Sequence, residues 1–184
     1  MDVILYTDPK TTLETLGFER QLGEDEAVVV FPKHEAKNQE TLGHLAVDGM
    51  TVKSGLLAKD AKEARRQRQK YDVIIADATR DALESKAVDI VRHAETQERK
   101  DKTHRRGSGL NQVAAKLIKE KGTTYALDIS LVLNGRDRTG TLGRMMQNKK
   151  ILQKYGCDVR AYSFATTWNQ VRPPKEREFF AENL

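Results

Sequence analysis

Histidine, carboxylate and guanidinium groups, from which phosphoesterase active sites are built, are concentrated in one stretch of the sequence. Residues 92–112 read RHAETQERKDKTHRRGSGLNQ and contain two of the four histidines of the chain. The stretch has no hydrophobic run, which is typical of a connection outside the core. Two kinds of chemistry fit these residue types: hydrolysis of a phosphodiester at a metal centre, or binding of a phosphate backbone by the basic side chains.

The spacing of the candidate ligands argues against a metal centre. The histidines stand far apart, and the sequence has no His-x-His, Cys-x-x-Cys or His-Glu-x-x-His motif. His93 is the best single candidate, although a histidine on the surface or bonded to backbone is more common than a ligand. No feature brings two strand-end carboxylates together. Asp128 lies in the apolar segment YALDISL, and we expect it to pair with an arginine because a buried carboxylate needs a partner.

The basic side chains of the same stretch favour RNA as the ligand. They follow a predicted strand, and (β/α) folds carry their functional loops at the carboxyl ends of strands. A guanidinium can donate two hydrogen bonds to one phosphate, and counterion release makes such binding salt-dependent. No aromatic residue interrupts the cluster, which favours recognition of folded RNA by shape and backbone over base stacking. A solvated charged loop without a ligand is the alternative. The residues predicted to bind RNA here are Arg99, Lys100, Arg105 and Arg106.

Composition limits the class of protein. The chain has 184 residues, which predicts one domain over residues 1–184. Charged residues make up 32%, and the net charge of +5 favours a polyanionic partner. Cys157 is the single cysteine, so an internal disulfide is excluded and a reducing compartment is expected. No stretch is long and apolar enough for a membrane span, and we expect a cytoplasmic protein without a membrane partner.

Seven short apolar runs alternate with helical patterns along the chain. Strands of this kind, separated by helices, predict a parallel sheet. The chain is well short of the roughly 250 residues of an eightfold barrel. We therefore predict an α/β fold, a compact TIM-like (β/α) barrel of seven strands with incomplete closure. The runs are VILY, AVVVF, MTVK, YDVIIA, VDIV, YALDISL and VRAYSF.

Three helices are predicted. The first follows the basic stretch, with Ser108 as its N-cap and Gly122 as its C-cap. Its buried stripe should consist of Leu110, Val113, Ala114, Leu117 and Ile118. The second covers about residues 141–155 and should place Met145 and Met146 in the core. The third, about residues 59–70, should present a solvated basic face.

The order of several segments resembles the archaeal family of ribonuclease P protein component 3, related to the thirty-kilodalton subunit of the eukaryotic enzyme. The resemblance covers roughly residues 71–178 and rests on RKD, LNQVAAKLIKEKG, ALDISL, LGRMMQNKKILQKYG and SFATTWNQVRPPKE. It implies a barrel-like fold that binds and stabilises the catalytic domain of ribonuclease P RNA, whose holoenzyme removes 5′ leaders from precursor tRNA. It also implies that the RNA performs catalysis with Mg²⁺, while this chain has no catalytic residue and binds no cofactor or metal.

The resemblance also implies partners and residue roles. The partners are ribonuclease P RNA, protein component 2 in a two-plus-two assembly, the other protein subunits and, indirectly, precursor tRNA. An acidic family position falls on Asp89, and a family histidine is replaced by Gln112. The first strand reads VILYTDP and lacks the His-x-His pair of related metal-dependent phosphoesterases. Basic family positions fall on Arg99, Lys121, Lys154, Arg172 and Arg80.

Three hypotheses follow from the sequence. The main one is a non-catalytic RNA-binding subunit of ribonuclease P that uses residues 92–112, Lys116, Lys121 and Arg172 as one basic face. The second is a divergent metal-dependent phosphoesterase or nuclease of the related barrel superfamily. The third is a protein-interaction module that meets RNA only through its partner.

Overall fold

Seven parallel strands form a single sheet that curls into a nearly closed barrel. The computed structural model describes residues 1–31, 41, 45, 47–97 and 107–184. Each strand pairs with the next along the chain, in the order β1 to β7. The strands are β1 (Asp2–Leu5), β2 (Glu26–Phe31), β3 (Thr51–Ala58), β4 (Val73–Asp77), β5 (Ile90–Arg92), β6 (Thr124–Asp128) and β7 (Val159–Tyr162).

The seam between β1 and β7 is the incomplete part of the barrel. It is joined by one parallel bridge, between Ile4 and Ala165, and the amide of Leu5 donates to the carbonyl of Ala165 at 2.8 Å. The TIM-like barrel of seven strands with incomplete closure, predicted from the sequence, is therefore confirmed.

Helices lie on the outside of the barrel and connect β1 to β2, β3 to β4, β4 to β5, β5 to β6 and β6 to β7. Because every crossover returns the chain to the same end of the sheet, the carboxyl ends of all strands meet at one mouth. None of the helices in the described ranges is long and apolar enough to cross a membrane. Within the described residues the helices are α1 (Pro9–Gln21), α2 (Ala61–Gln67), α3 (Arg80–Glu84), α4 (Gln112–Lys121), α5 (Ile129–Asn134), α6 (Arg138–Lys154) and α7 (Pro174–Asn183), with two short 3₁₀ turns at Ala94–Thr96 and Trp168–Gln170.

The core has two layers because successive side chains of a strand point to opposite faces. One face packs against the helices, where Ile118 of α4 and Leu152 of α6 are fully buried. The other face fills the barrel with aliphatic side chains and two aromatic rings. This interior layer contains Val3, Val28, Val30, Val73, Ile75, Ile90, Ala126, Tyr162 and Phe164.

A buried ionic cluster closes the amino end of the barrel. Arg177 of α7 pairs with Glu24, and its Nη1 donates to the carbonyl of Met1 at 3.1 Å. The Met1 amino group lies 2.8 Å from Glu24 Oε2. Glu19 of α1 is also fully buried here, and burial together with the nearby Asp2 raises the pKa of its carboxyl to about 9. These contacts connect α7 and α1 to the start of β1.

The local predictions were partly wrong. In YALDISL the strand ends at Asp128, because this side chain caps the amino end of α5 and turns the chain into a helix. The N-cap of α4 is Asn111 and not Ser108, which is buried. Val113 and Met146 were predicted to be buried but are 64% and 52% exposed, since the narrow buried sides of α4 and α6 do not reach them.

Candidate nucleic-acid interface

The mouth of the barrel is filled by an ionic cluster from three adjacent strands. It consists of Asp77 at the end of β4, Arg92 and His93 at the end of β5, and Asp128 at the end of β6. Arg92 Nη1 lies 3.4 Å from Asp128 Oδ2, and Arg92 Nε lies 3.5 Å from Asp77 Oδ1. His93 Nε2 lies 2.7 Å from Asp128 Oδ2. The arginine partner expected for Asp128 is therefore Arg92.

The cluster is tightly built around the Arg92 guanidinium. Its Cζ lies 4.7 Å from the centre of the Phe164 ring, within the range of a cation–π interaction. Asp128 uses its second oxygen to accept hydrogen bonds from Ser130 Oγ at 2.6 Å and from the amide of Leu131 at 3.1 Å. Both Arg92 and Asp128 are buried, so each charge depends on the other for compensation.

This arrangement disfavours metal-dependent chemistry at the mouth. The two carboxylates face the guanidinium of Arg92, which a metal ion would have to displace. Within the ranges that the structure describes, no group of three or more histidine, cysteine or carboxylate side chains is arranged to hold a metal ion. The mouth, where a barrel enzyme places its active site, thus contains an ion cluster in which both carboxylates lie against Arg92.

A buried hydrogen-bond network joins the segments on either side of residues 98–106. Tyr125 Oη donates to Glu95 Oε2 at 2.6 Å, and Asn148 Nδ2 donates to the carbonyl of Ser108 at 2.8 Å. Asn148 Nδ2 is also 3.3 Å from Tyr125 Oη. All four residues are buried, and burial raises the pKa of Glu95 against the opposing effect of the Tyr125 hydrogen bond. We call this network the clamp.

A close backbone contact reinforces the clamp. Gly109 has a φ of +78°, and a Cβ placed on it would lie 1.9 Å from the carbonyl oxygen of Ala94. Only glycine fits this position, because it tolerates the left-handed conformation and leaves room for the carbonyl. The described residues 94–97 and 107–110 are therefore held against each other and against α6.

Four of the predicted RNA-binding residues lie outside the described residues. They are Arg99, Lys100, Arg105 and Arg106, and His104 lies outside as well. Their roles remain predictions from the sequence.

Lys154 lines a groove between α4 and α6, together with Lys150 one turn before it. The groove has a volume of about 350 Å³. Gln112, at the position where the resembling family has a histidine, lies on its opposite wall. The remaining lining residues are Leu110, Asn111, Gln147, Ile151 and Tyr155. Gln112 and Lys154 were identified separately from the sequence, and the structure brings them into one site.

The other lysines of α4 lie along the same helix. Lys116 is exposed and follows Gln112 by one turn, so both lie on the same face of α4. Lys121 is in the last turn, where its Nζ is 3.2 Å from Glu120 Oε1. Lys116 therefore lies on the same face of α4 as Gln112 but does not line the groove, while the charge of Lys121 is partly compensated.

The remaining predicted residues lie in other parts of the barrel. Arg172 lies between α5 and α7, and its Nη1 donates to the carbonyls of Asn169 at 3.1 Å and Val171 at 2.8 Å. Arg80 is on α3 and pairs with Glu84 at 2.9 Å. Asp89 precedes β5, where it pairs with Arg68 at 3.0 Å and accepts a hydrogen bond from the amide of Ile74 at 2.8 Å. Arg172 does not line the α4–α6 groove. The single basic face stays a prediction, because residues 98–106 lie outside the described residues.

Sequence reasoning missed Lys150 and the clamp. Lys150 stands four residues before Lys154, a helical spacing that indicates a shared face. The clamp could not be found in this way, because Glu95, Tyr125 and Asn148 are far apart in sequence and no motif connects them.

The comparisons with known proteins bear on the fold. No protein-family model and no curated protein sequence matches the chain. A chain in the cryo-EM structure of archaeal ribonuclease P with mature tRNA aligns with a TM-score of 0.78 and 24% sequence identity, over 100% of this chain and 81% of that chain. The two chains share one fold. The crystal structure of an uncharacterized protein gives a TM-score of only 0.34 at 12% identity, over 97% of this chain and 43% of that one.

Proposed function

We propose that this chain is an RNA-binding protein subunit of ribonuclease P, the ribonucleoprotein that removes the 5′ leader from precursor tRNA. The observation that carries the proposal is the alignment of the whole chain with a chain of an archaeal ribonuclease P assembly. The net charge of +5 and the exposed lysines of the α4–α6 groove also support it.

In this proposal the protein binds and stabilises the catalytic domain of the RNA, and the RNA performs cleavage with its own Mg²⁺. Its partners are ribonuclease P RNA, protein component 2 in a two-plus-two assembly and the other protein subunits, with precursor tRNA reached indirectly. The chain itself binds no cofactor and works in the cytoplasm.

The ion cluster at the mouth favours this function over phosphoester hydrolysis by the protein. A hydrolase of the related barrel type needs its strand-end carboxylates for a metal ion or a proton transfer. Here Asp77 and Asp128 face Arg92, and His93 is hydrogen-bonded to Asp128.

Binding of the purified chain to ribonuclease P RNA across a salt series tests the proposal. We expect the logarithm of the association constant to fall linearly with the logarithm of salt concentration, because lysine–phosphate contacts release counterions. An affinity that hardly changes with salt would instead support a module that meets RNA only through a partner. Cleavage of precursor tRNA by the chain alone, abolished by a chelator, would support the hydrolase.

A further inference from the structure

We propose that the α4–α6 groove receives one unstacked nucleotide of a single-stranded RNA segment. Its phosphate would lie against Lys150 and Lys154, and its base against the apolar floor of Leu110, Ile151 and Tyr155. The inference rests on the proposed function, since it names the RNA feature that this surface recognises.

The charge of the groove fits a phosphate. Lys150 and Lys154 are both exposed and one helical turn apart, so their ammonium groups can approach the same phosphodiester. Neither forms an ion pair within the described part of the chain, and no lining residue is acidic. Several other exposed cations are compensated instead, as in Arg80 with Glu84 and Arg160 with Asp158.

The apolar floor indicates that more than a phosphate is bound. Leu110 is buried beneath the groove, while Ile151 and Tyr155 are half-buried and pack against the core. A phosphate gains nothing from such a surface, whereas the face of a nucleobase can stack on a tyrosine ring or pack on aliphatic carbons. A lysine wall beside an apolar floor therefore fits a nucleotide better than a free anion.

One amide is placed to contact the edge of the base. The side-chain amide of Gln112 is exposed at the groove and makes no hydrogen bond within the described residues, while the neighbouring Asn111 caps the amide of Ala114 at 2.9 Å. A glutamine offers both donor and acceptor groups, which suits the Watson–Crick edge of an unpaired base.

The groove is too small to receive a base-paired duplex. A volume of about 350 Å³ is near the lower end of the range for small-ligand pockets. The bases of a duplex are paired and stacked inside the helix, so their faces are not available to the floor. An unpaired nucleotide in a loop, bulge or single strand meets both requirements.

The test compares three RNAs and two charge-matched double variants. The probes are an unstructured single-stranded RNA dodecamer, a duplex of the same sequence and a dodecamer with abasic sites in place of its bases. K150Q/K154Q removes both lysines of the groove, and K62Q/K86Q removes two exposed lysines elsewhere. Thermal unfolding of all variants checks that each remains folded.

We expect K150Q/K154Q to weaken binding of the single strand about ten-fold and to lower the salt slope by about 0.7, the value for one single-strand phosphate contact. K62Q/K86Q should change the affinity less than about two-fold. Wild type should bind the abasic strand more weakly than the dodecamer. Equal effects of the two double variants, or equal binding of the abasic strand, would overturn the inference.

Binding to ribonuclease P RNA distinguishes a failure of the groove as an RNA site from a failure of the proposed function. If wild type binds this RNA and K150Q/K154Q binds it equally well, the groove is the wrong site and the proposed function stands. If wild type binds the dodecamer through the groove but not ribonuclease P RNA, the groove is an RNA site and the proposed function is wrong.

Discussion

Replacement of Arg92 by methionine is expected to lower the free energy of unfolding by about 3–5 kcal/mol. Methionine keeps much of the side-chain volume and its contact with Phe164, but it leaves the carboxylate of Asp128 buried without its cationic partner. The cost is large because a charge removed from water needs compensation inside the protein. Urea denaturation followed by circular dichroism measures the effect.

An exposed ion pair provides the matched control for this substitution. Arg68 pairs with Asp89 at 3.0 Å, and its side chain is 41% exposed, compared with 9% for Arg92. Arg68→Met should therefore cost no more than about 1 kcal/mol. Equal losses in the free energy of unfolding for the two substitutions would show that Arg92 does not compensate a buried charge at the mouth. Adding Asp128→Asn to Arg92→Met should recover part of the loss, because the unpaired charge is then removed.

Gly109→Ala is expected to cost at least about 3 kcal/mol of stability, because it combines a left-handed backbone with a steric clash. The new Cβ would lie 1.9 Å from the carbonyl oxygen of Ala94, so the backbone would have to move. That movement would pull Ser108 away from Asn148 and open the clamp. Thermal and urea unfolding measure the loss.

Gly122 offers a close control for Gly109. It has a similar φ of +68° at the end of α4, but nothing lies within 4 Å of its added Cβ. Gly122→Ala should therefore show only the cost of the left-handed conformation, about 1–2 kcal/mol. If Gly109→Ala lowered the free energy of unfolding no more than Gly122→Ala, Gly109 would not lie in close contact with the carbonyl of Ala94.

The periodicity of the sequence predicted the barrel because burial on both faces leaves a simple pattern of apolar runs. Val28, Val29 and Val30 are consecutive and fully or almost fully buried, which a parallel strand explains and a surface strand does not. The end of β6 was missed because the apolar run continues through Ile129 into α5. Only the capping role of Asp128 marks the change from strand to helix.

The candidate site was less predictable than the fold. Asp128 was expected to have an arginine partner because a buried carboxylate requires one, but its identity depends on the pairing of β5 and β6. Lys154 and Gln112 lie 42 positions apart in sequence and meet only because α4 and α6 pack side by side. Tertiary contacts of this kind leave no local pattern in a single sequence.

The proposed function makes this chain a protein subunit of ribonuclease P. Reconstitution of ribonuclease P RNA with protein component 2, with and without this chain, tests it most directly through the rate of precursor tRNA cleavage at low Mg²⁺. We expect cleavage at the mature 5′ end to depend on the chain and high Mg²⁺ to relieve this dependence, because in the proposed function the protein stabilises an RNA that performs the chemistry. Equal cleavage rates with and without the chain at low Mg²⁺ would contradict it.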